Sequence, residues 1–467
     1  MEKRQHFDFY GYNSPWDGRY FYDGVEYFLG EDFRSVKRYK EYKNVGFNIL
    51  LLQHRNSYNG EDFETSACKK CMDTAYKAGI FKVIVSDNRL KDLCEEKELV
   101  GINGRFKSEQ EFLDYIDKCT KPYRSHPAFY GVQLFDEPQW YKLKSYAKVH
   151  KTLAEFKGGI RAQSNLLNLC APAYLAENPT DRVKDYEDYL NYFASESGTD
   201  YLMTDEYPFR RGRTISDYTL PTYLVLAKVC KERGIELRLV MQSFSQEGIV
   251  ASSKTAGEVE GGVAWRRITE KDMYWQMNLA LGFGCKEFSF FTYFTKFVKT
   301  FNGKRAVSDG IDGAAFINLD GSKTKLYNYT KKIIAEIKAF EPIIIKYDYF
   351  DSYYFIPNGS NKSDFDAVRR VDVKTDCLVT VETKDNPYVV TELHAENGAR
   401  MFMVENIGDP MDEIIDGKRA ASININLGSL AEKANFYYKG KKVNRTVKDG
   451  VLKERLGIGQ ALFIEIK

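Results

Sequence analysis

A chain of 467 residues, 43% hydrophobic and 29% charged, has the balance of an ordinary globular protein and a length that predicts two to four domains. Those figures exclude a disordered chain, a collagen-like chain and a small disulfide-stapled scaffold. With Lys plus Arg at 68 and Asp plus Glu at 66, the formal charge is only +2, which lacks the global electrostatic signature of a nucleic-acid binder.

The N-terminal segment MEKRQHFDFYGYN has charges but no apolar run behind them, so it does not read as a signal peptide. No run of 18 apolar residues occurs, and nothing is expected to cross a membrane. Strand candidates follow in order: 6–13, 46–53, 81–87, 129–137, 159–167, 200–208, 235–243 and 286–294. Amphipathic helical patterns lie between them, and several end in a Gly just before the next strand, as in AGIFKV, ERGIEL and FGCKEF. Eight strand–helix units in sequence predict a parallel sheet, and eight is the number that closes a (β/α)8 TIM barrel. Residues 1–344 are therefore assigned to the barrel, with the helical stretch 327–342 as its last helix. From 345 to 467 the helical patterns stop, and short strands punctuated by turn signals predict a C-terminal antiparallel β-sandwich domain.

The eight cysteines are scattered at 68, 71, 94, 119, 170, 230, 285 and 377, which suits reduced thiols in a cytoplasmic protein better than a disulfide framework. Cys68 and Cys71 share one face of a helical pattern. A zinc site would need a second ligand pair, and none is suitably spaced, so no metal and no cofactor is expected. The aromatic content is the departure from average, with 33 Tyr, 31 Phe and 4 Trp. Most must be core, but an excess of Tyr suits a cleft for a polar, flat-faced ligand.

In a barrel of this kind, function sits at the C-terminal strand ends. Those ends carry Asn13 and Trp16, then Gln53, then Asp136 and Glu137, then Asp205, Glu206 and Tyr207, then Gln242, then Tyr293. Carboxylates, amides and aromatic rings with few cations suit a neutral polyhydroxylated ligand and not a phosphorylated one. Alternation in GVQLFDE puts Val132 and Leu134 on one face and Gln133 and Glu137 on the other, so Glu137 is expected to point inward. The plainer reading is that Asp136 and Glu137 only cap the next helix. At the sixth strand, polar Thr204 favours Glu206 as the inward carboxylate, while the aromatic Tyr207 shares parity with Asp205. Gln242 is expected inward as well, but an amide is neither nucleophile nor base. Glu247 lies on a long Gly- and Ser-rich loop, 244–270, that also carries Trp265. Trp16, Tyr207, Trp265 and Tyr293 are the expected aromatic platform.

GVQLFDEP, TDEYPF, MQSF and WQMNLALGFGCKEFSFFTYFT together resemble bacterial (β/α)8 glycoside hydrolases and glycoside-hydrolase-like proteins. The resemblance covers roughly 5–345 and implies a glycosidase with Glu137 as general acid/base. Relatives of this kind place a nucleophilic Glu on the seventh strand, where this chain has Gln242. That departure moves the second carboxylate to Asp205 or Glu206. A scheme in which Asp136 and Glu137 work with a substrate acetamido group is also implied. The leading expectation is a hydrolase of a glycosidic bond in a small oligosaccharide or glycoside, with a carbohydrate partner, no nucleic acid and no membrane. A non-catalytic carbohydrate-binding barrel is the alternative, and a homo-oligomer is left open.

Overall fold

The computed structural model describes residues 4–22, 25–156, 158–210, 214–216, 218–245, 265–295, 298–301, 304–307, 315–357, 377–411 and 422–467. Eight parallel strands alternate with helices in the first part of the chain. They are β1 Asp8–Gly11, β2 Ile49–Leu52, β3 Lys82–Ser86, β4 Phe129–Asp136, β5 Ala162–Asn165, β6 Tyr201–Glu206, β7 Glu236–Gln242 and β8 Cys285–Phe291. They pair as two four-stranded parallel sheets, ordered β1-β8-β7-β6 and β2-β3-β4-β5. The free edges of these sheets approach each other. The Asn48 N–H donates to Phe9 O at 2.9 Å, and the Leu166 N–H donates to Met203 O at 2.8 Å.

The connecting helices are α1 Val36–Val45, α2 Ala67–Lys77, α3 Asn88–Cys94, α4 Glu109–Arg124, α5 Leu143–Glu155, α6 Arg182–Ser197, α7 Thr219–Arg233, α8 Glu270–Gly282 and α9 Lys325–Ile344. Short polar side chains start them: Ser35, Ser66, Ser108, Asp181 and Thr269 each accept a hydrogen bond from a backbone N–H of the first turn. The Gly expected before strands three, seven and eight takes positive φ at Gly79, Gly234 and Gly284. No described helix is long and apolar enough to cross a membrane.

Strand parity separates two cores. Tyr10, Tyr12, Ile49, Leu51, Ile84, Tyr201, Met203 and Val240 form one cluster on the inner face of the strands. Val83, Val85, Val132, Leu134, Leu202, Leu239 and Met241 face the helices in a second, larger one. Val132 and Leu134 thus pack outward, and Gln133 points inward with 3% exposure.

The rest of the chain is β-rich. Its strands are β9 Asp348–Phe355, β10 Thr380–Glu382, β11 Tyr388–His394, β12 Arg400–Asn406, β13 Ile423–Asn426, β14 Ala434–Tyr438, β15 Lys441–Val443, β16 Val447–Lys448, β17 Val451–Glu454 and β18 Ala461–Ile466. They make a six-stranded antiparallel sheet, β9-β11-β12-β18-β14-β15, and a four-stranded one, β10-β13-β17-β16. Phe402, Val404 and Ile464 of the first share a core with Val381, Ile425 and Leu452 of the second. The opposite face of the six-stranded sheet, with Val389, Met401, Met403 and Phe463, shares a core with Trp275, Leu279 and Ile337 of the helices. All eight cysteines are free, and only Cys170 is exposed.

At the N-terminal ends of the parallel strands lies a buried charge cluster. Arg161 reaches Glu287 at 2.5 Å, Arg4 reaches it at 3.2 Å, and Arg238 bonds Glu236 at 2.9 Å. Burial alone would raise the Glu287 carboxyl, but Arg161, Arg238 and Arg4 outweigh it and hold its pKa well below the usual range. His150 of α5, 4% exposed, packs edge-on against Phe193. Burial first, then Arg238 and Arg161, push its pKa down to about 3.

A free histidine titrates near ~6.5, so between that pH and about 3 the unfolded chain binds a proton that the folded chain refuses. The stability contribution of neutral His150 is therefore lost as pH falls, at ~1.4 kcal/mol per pH unit for this one group. Denaturant unfolding at pH 7, 6 and 5 should show a shallower acid loss for His150→Phe than for the native chain, by about that slope. Identical slopes would show that His150 does not carry this acid sensitivity.

Candidate active site

The C-terminal ends of the parallel strands converge on a carboxylate group built from two of them. On β6, Tyr201 and Met203 lie in the inner core, so Asp205 follows them inward. Thr204 and Glu206 point the other way. The Thr204 hydroxyl donates to Leu166 O at 3.0 Å and Leu167 O at 3.2 Å, which satisfies a polar group without facing the cleft. Glu206 is 1% exposed and accepts from Thr219 Oγ1 at 3.1 Å. Burial pushes its pKa up to about 7, against the pull of Arg210. The sixth-strand ambiguity is thereby resolved in placement: Asp205 faces the cleft and Glu206 the helices. Hydroxyl parity at Thr204 misleads because a strand Thr can bond the neighbouring strand's carbonyls.

Glu137 sits just past β4 with φ of +50°, a region that side chains rarely adopt, and its N–H donates to Asn165 O at 2.9 Å. Asn13 and His54, past β1 and β2, share this conformation, so backbone strain gathers at one end of the strands. Water reaches Glu137 at the open mouth, yet protein surrounds its carboxyl closely. Its side chain hydrogen-bonds Asp205. The Asp205 charge first, then burial, then Asp136 raise the Glu137 pKa strongly. Burial and Asp136 raise Asp205 as well, and hydrogen bonds from Tyr207 and Glu137 lower it. Both carboxyls are thus held above their usual range, Glu137 the more strongly, so that the pair favours keeping one proton. Asp136 is exposed and accepts from Asn165 Nδ2 at 2.9 Å. Asn168 Nδ2 donates to Asp205 O at 2.9 Å.

An amide relay lines the other side. The Asn13 N–H donates to Gln53 Oε1 at 3.1 Å, Gln53 Nε2 to Gln133 Oε1 at 3.2 Å, and Lys91 Nζ to the same Gln133 oxygen at 3.4 Å. Lys91 is a site residue the sequence reading passed over. It lies on α3, close behind the third strand, where Asp87 caps the helix by accepting from the Arg89 N–H. Burial lowers the Lys91 pKa, opposed by the charge of Asp136. The amphipathic position of one Lys four residues past Asp87 carries no signal that separates it from a solvated surface lysine.

The aromatic residues divide. Tyr207 packs against Phe291 with centroids 5.9 Å apart and 30° between planes, and against Trp265 at 6.2 Å. Trp265 Nε1 donates to Tyr207 O at 3.1 Å. Phe244 completes this cluster beside Asp205. Trp16 is half-buried and packs against the main core. Tyr293 corrects its expectation: it is 1% exposed and packs on Tyr42 at 4.7 Å and on Phe316 at 5.9 Å, within the outer core. Phe291 stands at the mouth in its place. Gln242 also corrects its expectation. It is fully buried, its Oε1 accepts from the Phe209 N–H at 2.9 Å, and its Nε2 donates to Phe209 O at 3.2 Å and Phe244 O at 3.3 Å. Its polar atoms are committed to holding loops. Glu247 and residues 246–264 of the long loop lie outside the described residues.

The chain matches no protein-family model and no curated protein. Its fold is similar to that of solved α-amylases. The Geobacillus thermoleovorans α-amylase, complexed with acarbose, is 12% identical with a TM-score of 0.53, over 100% of this chain and 99% of the other. The Anoxybacillus α-amylase is 12% identical with a TM-score of 0.52, over 99% and 98%. At this identity the likeness is one of fold alone.

Because the Asp205 charge is the largest cause raising Glu137, Asp205→Asn should bring the Glu137 pKa down by at least a unit, as read by carboxyl-carbon NMR titration. Glu206→Gln, on the far face of β6, should leave it in place. A Glu137 titration unmoved by Asp205→Asn would show that the two carboxyls do not share a proton.

Proposed function

We propose that this protein is a glycoside hydrolase, with Glu137 as the proton donor to the leaving oxygen and Asp205 as the second carboxylate. The observation that carries the reading is the coupled Glu137–Asp205 pair at the C-terminal strand ends, in which each carboxyl is raised and Glu137 the more strongly. Glycoside hydrolysis needs one carboxyl that keeps its proton near neutrality and one that stays ionised to face an oxocarbenium-like centre. Two similar residues in one cleft are pushed apart in pKa by their contact, which supplies both states at once. Carboxyls in hydrogen-bond reach are nearer to the ~5–5.5 Å retaining spacing than to the ~6.5–9.5 Å of inverting enzymes, which must seat a water between them. We read the mechanism as retaining, with Asp205 as nucleophile.

The same reading takes the two parallel sheets as halves of one closed (β/α)8 barrel. The hydrogen bonds Asn48 to Phe9 and Leu166 to Met203 support closure, since each joins one sheet's edge to the other's. It places the domain boundary at 344/345, between the end of α9 and the start of β9. Tyr207, Phe291 and Trp265 form the face against which a sugar ring stacks, and Asp136, Gln53, Gln133 and Asn13 supply hydrogen bonds to hydroxyls. Glu206, buried behind β6 and bonded to Thr219, is a positioning residue. The substrate is a carbohydrate with a glycosidic bond, as the α-amylase likeness in fold also suggests. Eight free cysteines are compatible with a reducing, cytoplasmic setting.

A panel of aryl glycosides tests this. Glu137→Gln should cut turnover by about a hundredfold or more on substrates with poor leaving groups, and far less on activated ones. Asp205→Asn should abolish turnover of an activated aryl glycoside, and azide should restore it by attacking the vacated face. Glu206→Gln should change turnover by less than either. If Asp205→Asn turns over normally, the assignment fails; binding of oligosaccharide with no hydrolysis by the native chain would favour a carbohydrate-binding protein instead.

A further inference from the structure

The seam between the parallel-strand body and the six-stranded sheet encloses a carboxyl group with no counterion among the described residues. Glu405 of β12 is 0% exposed, and neither of its carboxyl oxygens has a hydrogen-bond partner. Strand alternation explains where it points. Phe402 and Val404 face the sandwich core, so Met401, Met403 and Glu405 face the helices. Its cross-strand neighbours Val389 on β11 and Ala461 on β18 belong to that same apolar face. From the other side, α8 presents Gly282, where an added Cβ would lie 2.3 Å from Met403 Cε and 2.8 Å from Thr391 Oγ1. Trp275, a turn or two earlier on α8, packs on Gly459 beside the end of β12. The helix thus packs tightly on the sheet at Gly282 and Gly459, and the Glu405 carboxyl is shut away from the surface.

The titratable groups on the surrounding elements are neutral or committed elsewhere. Tyr223 on α7 is fully buried, and its hydroxyl also lacks a partner. Cys285 at the foot of β8 is a buried thiol whose pKa is pushed up to about 12. Asp272 of α8 is paired with Arg266, which also reaches Asp409 just past β12. Glu392 on β11 bonds His394, and Glu465 on β18 accepts from Tyr347 and Tyr437. Among the described residues nothing offers Glu405 a positive charge, and burial raises its pKa far above that of a free glutamate.

We propose that Glu405 makes this seam a proton-operated latch, closed while the carboxyl is protonated and released as it ionises. An unpaired carboxylate in an apolar, dry interface is among the most expensive groups to bury, whereas the neutral acid costs only its missing hydrogen bonds. The sign follows from linkage. In the open state Glu405 titrates near ~4.3, so above that pH opening releases one proton to solvent. Each further pH unit then favours the open state tenfold, until the closed-state group itself ionises. This inference does not depend on the reading of the mouth as a glycosidase.

Native-state hydrogen exchange on the full chain, corrected for the intrinsic pH dependence of exchange, tests the latch between pH 5.5 and 8.5. In the native chain the opening constant of amides in α8, β11 and β12 should rise toward tenfold per pH unit, while those of β3 stay protected. Glu405→Gln, which keeps the shape and cannot ionise, should flatten that dependence. The difference in Tm between this variant and the native chain should widen as pH rises. A pH-independent opening of the native seam, equal slopes in the native chain and Glu405→Gln, or a slope shared by β3 would each overturn the proposal. Should Glu405→Gln fail to fold, Glu405→Met and the exchange profile of the native chain alone still decide it.

Discussion

Two carboxyl groups in hydrogen-bond contact within a protein cleft cannot both hold a charge, and the arrangement of the mouth follows from that contact between Glu137 and Asp205. To bring the pair together, β4 must end in a residue at positive φ, fixed by the Glu137 N–H to Asn165 carbonyl bond. β6 must keep strict alternation to its last residue, so that Asp205 follows Tyr201 and Met203 inward. A charge on Asp205 needs donors, and Tyr207 and Asn168 provide them. Asp136 adds a third carboxylate nearby. Asn165 at 2.9 Å and the charge of Lys91 offset it, so the group is crowded but not uncompensated.

The strands and their order were legible because most of the eight are short, largely apolar runs bounded by helical patterns, the polar fifth strand AQSN being the exception, and Gly79, Gly234 and Gly284 mark the turns before three of them. Parity was readable where one face is wholly apolar, as at Val132 and Leu134. It failed where a polar residue can be satisfied by backbone. Thr204 looked like a cleft residue and instead bonds two carbonyls of the next strand segment. Gln242 does point inward from β7, but loop backbone around Phe209 and Phe244 uses its amide. Tyr293 was out of reach for a different reason. Its side chain lies past the end of β8, where alternation no longer constrains direction, and the Phe47–Phe316 ring cluster captures it. Lys91 has no sequence signal at all, since only the tertiary approach of α3 to β4 makes it half-buried beside Gln133.

The buried seam extends the same physics to a place the sequence does not mark. In RMFMVEN the alternation reads correctly as a strand, and Glu405 then looks like the outward polar residue of a one-sided sheet. It is not outward, because the six-stranded sheet is covered on both faces, by the smaller sheet on one and by α8 on the other. A carboxyl that pattern rules assign to solvent is enclosed by an element more than a hundred residues away.

The two ends of the parallel strands treat charge in opposite ways, and that contrast separates ion-paired carboxyls from ones that favour their proton. At the N-terminal ends, Glu287 is surrounded by Arg4, Arg161 and Arg238, which hold its pKa well below the usual carboxylate range. Such a group holds strands together and has no proton to give. At the C-terminal ends, Glu137 meets like charges and not cations, so its neutral form is the favoured one and carries a transferable proton at neutral pH. Both sites are crowded with titratable groups. Only the sign of the nearest neighbour differs, and it leaves a carboxyl that favours its proton at the mouth and an ion-paired carboxylate at the opposite end.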